Sequence, residues 1–253
     1  LCVKNEYMSS SLLELAISLV IIGLIISSTL LGHNLVDSAR LKNLLFEIHD
    51  IKKRVLIFQD QNNFLPGDLP YANRLWKQEC QKLFDLYNIE CNGNGDGYVG
   101  SIAEGLLAFK HLTYSDLYFW PISEDMVYSY AKSGANVAAS KFIDSDIQIL
   151  GDTQLHILNY NIEHLGKNFI RFAKARNHGN ILDSILSPKD SHYVDYKIDD
   201  GIPVSGNIIA DMGSMEYSKL SKQLCIEVSE NNLFFYRKFD SNIYCYIQLA
   251  LEK

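Results

Sequence analysis

Oxygen-bearing side chains alternate with glycine in Cys91-Asn92-Gly93-Asn94-Gly95-Asp96-Gly97. Asn92, Asn94 and Asp96, with a glycine at the sharp turn, are donor types that suit a hard cation such as calcium. The spacing departs from an EF-hand. Its first position is Asn92 rather than aspartate, and its twelfth is Ala103, with Glu104 one residue late. Such a set, carrying one formal charge, binds calcium weakly. The other reading is a disulfide-tied turn between Cys80 and Cys91. Asp195, Asp199 and Asp200 form a second acidic cluster. His156, His164, His178 and His192 are scattered, with no H-E-x-x-H spacing, nucleophile elbow or phosphate loop. The residues therefore offer no catalytic constellation, and the expectation is a protein that is not an enzyme.

Glu14 carries a different kind of chemistry. It is the acidic residue within the apolar stretch Ser11–Ile26. A carboxylate at mid-membrane is unfavourable by about 2.5–3.5 kcal/mol, so it persists where it has a partner or a task. The apolar run Leu12–Leu31 has the length of a bilayer-spanning helix. It continues into Leu35 and Val36 with no A-x-A cleavage site, unlike a cleaved secretory signal.

Of the five cysteines, Cys2 precedes this run. Cys80 and Cys91 lie close together, and so do Cys225 and Cys245. Two local pairs point to two disulfides in an oxidising compartment; the alternative is buried free thiols. A net charge of -7 argues against a protein that coats nucleic acid, and no nucleic-acid partner is expected.

One long element must carry Glu14. Leu41, Leu44, Ile48, Ile51, Val55 and Phe58 recur at intervals of three and four, the pattern of an amphipathic helix face. Lys42, Glu47, Asp50, Lys52, Lys53 and Arg54 fill other positions, and no proline occurs before Pro66. The pattern predicts one helix from Ser11 to Gln61, roughly 75 Å long, ended by the Pro66-Gly67 stop. Shorter helices are expected within Tyr71–Tyr87, over Ser101–Leu112, and from Ser187-Pro188 to Lys197. Strands are expected at Ile147–Leu150, Leu155–Leu158, Asn207–Ala210, Cys225–Val228, Leu233–Lys238 and Tyr244–Leu249. The last of these read most simply as an antiparallel meander with a turn near Glu230–Asn232.

Ser11-Leu12-Leu13-Glu14, followed by Leu15-Ala16-Ile17-Ser18-Leu19-Val20-Ile21-Ile22-Gly23, resembles the prepilin cleavage and methylation segment. Type IV pilins and the pseudopilins of type II secretion share that segment. Cleavage would fall between Ser9 and Ser10, where the family has Gly and Phe, and Glu14 matches the glutamate at the fifth mature position. Later stretches resemble a group of prepilin-like proteins: Gln61–Asn73 with Trp76 and Cys80, Cys91–Gly97, Leu186–Asp190 and Ile198–Gly206.

The resemblance implies an α+β, pilin-like fold: a long N-terminal transmembrane helix packed on a globular domain with an antiparallel β-sheet. Residues 1–9 would be a leader and 10–62 the helix, transmembrane over about 12–31 and amphipathic over 32–62. Residues 63–253 would be the globular domain. It further implies a structural subunit of a type IV pilus or secretion pseudopilus, or alternatively a minor tip pilin that binds a surface, DNA or a secreted substrate. Glu14 would pair with the freed N-terminal amine of a neighbouring subunit. The implied partners are prepilin peptidase, other pilin or pseudopilin subunits and an inner-membrane assembly platform. The implied location is the inner membrane, single-pass, with the globular domain periplasmic.

Overall fold

Helix-forming residues run without a proline from the N-terminus to Pro66, and one helix, α1, spans Glu6–Asn62. It ends where Asn63 enters the left-handed region at φ 60° and its N–H closes the last turn on the Gln59 carbonyl. The structure is a computed structural model. It describes residues 6–88, 90–118, 137–142, 145–151, 167–175, 183–212, 225–229, 231, 233–239, 242–243 and 245–251.

The chain divides into two compact units, Leu1–Asn43 and Leu44–Lys253. In the first, Leu12–Thr29 is a wholly exposed apolar stretch of 18 residues, long and apolar enough to cross a membrane. Three of its hydroxyls bond back to carbonyls of the helix itself. Ser18 donates to the Glu14 carbonyl, Ser28 to that of Leu24 and Thr29 to that of Ile26. That pairing is what hydrocarbon demands of a polar side chain.

In the second unit α1 buries Leu44, Ile48, Ile51, Val55 and Phe58, the stripe expected from its periodicity. Glu47 departs from expectation, being buried rather than solvent-facing. Its carboxylate accepts from the Ser140 hydroxyl and the Lys141 N–H, so a loop from the sheet region caps it. Burial of a charge is tolerated where such donors replace water.

Tyr71–Tyr87 forms two helices, α2 at Ala72–Leu75 and α3 at Lys77–Tyr87, broken at Trp76. Helix α4 spans Ile102–Tyr114. Ser101 and Glu104 make a reciprocal capping box at its start. Seven strands follow in part around one more helix: β1 Ala138–Ala139, β2 Asp146–Gly151, β3 Asn168–Ala173, α5 Pro188–Ile198, β4 Ile208–Met212, β5 Ile226–Val228, β6 Phe234–Tyr236 and β7 Cys245–Leu251. Leu155–Leu158, expected as a strand, lies outside the described residues.

The main sheet is antiparallel in the order β1-β2-β3-β7-β4. β5 and β6 pair separately, Ile226 opposite Tyr236. The expected C-terminal meander is thus corrected. The β5–β6 hairpin forms, but β7 leaves it and inserts between β3 and β4. All of β2, β3 and β7 is buried. β3 escaped the sequence reading because Arg171 interrupts its apolar pattern. In the fold Arg171 is buried and donates from Nε and Nη2 to Gln248 Oε1 on β7, each at 3.1 Å.

Candidate functional site

The glycine loop is built around a carboxylate that the sequence did not single out. Asp68, in the turn after α1, is fully buried. Its two oxygens accept from Gly95 N–H at 2.7 Å and Gly97 N–H at 2.9 Å. Those glycines have φ 75° and 90°, a region that side-chain-bearing residues rarely enter. Burial raises the Asp68 pKa, the two N–H bonds oppose that, and nearby Asp96 and Glu104 add to the rise. The missed signal was an aspartate beside Gly67, a helix-stop residue, facing a glycine-x-glycine run.

Two further side chains weld this region together. His111 on α4 is buried; Gly67 N–H donates to its Nδ1, so Nε2 carries the proton and donates to the Cys91 carbonyl at 2.8 Å. Glu104 accepts from the Asn94 and Ser101 amides. A disulfide joins Cys80 of α3 to Cys91.

Within this frame the expected ligands are already in use as turn acceptors. Asn92 Oδ1 accepts from Asn73 N–H, Asn94 Oδ1 from Asp96 N–H, and Asp96 Oδ1 from Tyr98 N–H. Asn94 Nδ2 also donates to Asp96 Oδ2. Each oxygen keeps a second lone pair, and Asn94 and Asp96 face solvent.

The second acidic cluster is drawn together. Asp195, Asp199 and Asp200 each place a carboxylate oxygen within 4.8 Å of the others. Ser187 caps α5 by accepting from Asp190 N–H, with Pro188 in the first turn. The helix carries Asp195 inward, where it is buried and accepts from Gly201 N–H and the Tyr236 hydroxyl. Asp199 accepts from Asn207 and Ile208 N–H. Its carboxylate occupies the place a Cβ at Gly206 would take, so this turn admits only glycine there. Asp200 accepts from Ile202 N–H and the Ser205 hydroxyl.

Cys225 and Cys245 are disulfide-bonded, tying the base of the hairpin to β7. Ser9, Ser10 and Glu14 all lie on α1 in the first unit, and the Glu14 side chain is exposed. Compared with known proteins, the chain matches no family model, no curated protein and no solved structure.

Proposed function

We propose that this protein is a membrane-anchored structural subunit of the pilin or pseudopilin kind, assembled through its N-terminal helix rather than acting as a catalyst. The observation that carries the reading is α1 itself. One unbroken helix bears an exposed apolar span with Glu14 near its start, and its later turns supply the core stripe of a globular unit. Such a helix can sit in lipid and, in an assembly, exchange lipid for copies of itself. There Glu14 sets register, because a misplaced neighbour leaves a charge unpaired in low dielectric.

The amine that pairs with Glu14 exists only after cleavage between Ser9 and Ser10 by a prepilin peptidase. In this reading the globular unit is periplasmic and the partners are like subunits and an inner-membrane platform. The test combines two measurements. Mass spectrometry of the mature protein should find an N-methylated Ser10, and Glu14→Val should abolish assembly while leaving membrane insertion intact. Normal filaments from the variant overturn the reading.

A second reading, a tip subunit that binds a partner, is favoured by the exposed Leu233, Phe235 and Phe239 on and beside the hairpin. Calcium held weakly by Asn92, Asn94 and Asp96 is compatible with either role. Calorimetric titration should give heat that Asp96→Ala removes; unchanged heat excludes Asp96 as a ligand.

A further inference from the structure

The β5–β6 hairpin stands outside the five-stranded sheet. It packs on α5. Among the described residues it is held there by the Tyr236 hydroxyl donating to Asp195 Oδ2 at 2.8 Å and by the Tyr236 ring set edge-on to His192. The Cys225–Cys245 disulfide fastens its base. The Tyr236 hydrogen bond lands on a crowded acceptor, since Asp199 and Asp200 bring their own carboxylates within 4.8 Å. Like charges that close disfavour full ionisation, and burial of Asp195 compounds the cost.

We propose that the Asp195–Tyr236 junction is a proton-sensitive latch, in which protonation of the carboxylate cluster closes the hairpin onto α5 and ionisation loosens it, with the disulfide retaining the hairpin as a tether. Lifting the hairpin admits water to Asp195 and relieves its desolvation, so the closed form binds the proton more tightly than the open one.

The groups that bear on Asp195 are Tyr236 from β6 and Asp200 and Asp199 from the turn after α5; none from β4 or β7 is among them. Burial first, then the two neighbouring carboxylates, push Asp195 up to about 7, against the opposing pull of its hydrogen bonds. Because closure raises the Asp195 carboxyl pKa, the closed state is favoured in acid, and that gain is lost as pH rises through about 7. His192, beside Tyr236, is held below its usual value by burial and by Lys238 of the hairpin. Its protonation in acid loosens the closed state, the opposite sign, so it cannot mimic the effect.

Hydrogen exchange of the full chain in detergent with EDTA, from pH 4.5 to 8 and corrected for intrinsic rates, tests the latch. Protection of the amides of residues 226–228 and 234–236 should fall at least about tenfold, as for a one-unit shift in one linked proton, while that of β3 stays constant. Asp195→Asn should keep the acid value throughout. Should that variant misfold, Asp200→Asn decides, and its fall must be smaller than that of the native chain. The proposal is overturned if native protection does not change with pH, or if either folded variant falls as far as the native chain. It is also overturned if millimolar calcium without EDTA restores full protection at pH 8, because the cluster then answers to a cation.

Discussion

His111 ties three segments through a single neutral ring: α4, the Gly67 turn and the Cys91 loop. Burial pushes its pKa down to about 4 from 6.5, and the bond to the Cys91 carbonyl offsets this only in part. A depressed histidine contributes stability that is complete above 6.5 and lost as pH falls towards 4. The loss amounts to roughly 3 kcal/mol at one unit per 1.36 kcal/mol. Thermal unfolding of the full chain in detergent should therefore show Tm dropping between pH 6.5 and 4. His111→Gln, which can still accept from Gly67 and donate to Cys91, should flatten that drop; an equally steep drop in the variant rules out this origin. Asp68 works by the opposite chemistry, as an acceptor for two glycine amides. Sequence inspection passed over both residues because neither residue's partners are its neighbours in the chain. Their partners lie 20 to 44 positions away.

The element most legible from sequence is α1. Apolar spacing, an unbroken run of helix formers and the Pro66-Gly67 stop are all local signals, and the helix ends one residue from its expected end. α4 and α5 were also readable, α4 from its amphipathic spacing and α5 from Ser187 and Pro188, cap chemistry written in neighbouring positions. Strands were read less well. β3 has Arg171 in a buried register, a position a two-residue alternation assigns to solvent. The stripe on α1 gives a prediction at this scale. Phe58 is fully buried, in ring contact with Trp76 and His111. Phe58→Ala should cost about 3–5 kcal/mol. Phe46 on the same helix is 73% exposed, and Phe46→Ala should change stability by no more than about 0.5 kcal/mol. Chemical denaturation of both variants checks the contrast, and equal losses would mean the stripe is misplaced.

Across the whole molecule, the disulfide Cys225–Cys245 joins two pieces of sheet that share no ladder. It closes a loop of sequence separation 20, for which the chain-entropy account assigns about 3 kcal/mol. The double variant Cys225→Ser, Cys245→Ser should lose about that much in thermal unfolding while keeping the amide protection of β2, β3 and β7. A cost near zero, or collapse of the five-stranded sheet's protection, contradicts a tether that acts mainly on the hairpin.

By itself the sequence determined the apolar span with Glu14, the continuous helix with its buried stripe, the Ser187 helix cap and the proximity of each cysteine pair along the chain. These depend on residues within a few turns of one another, where periodicity and cap chemistry suffice. Only the tertiary structure decided that β7 sits between β3 and β4, that Glu47 and Asp68 are buried acceptors, and that Asp195 meets Tyr236 from the hairpin. Each of those depends on which distant backbone amide or hydroxyl replaces the water a polar group gives up. That exchange is settled by packing between segments far apart in the chain.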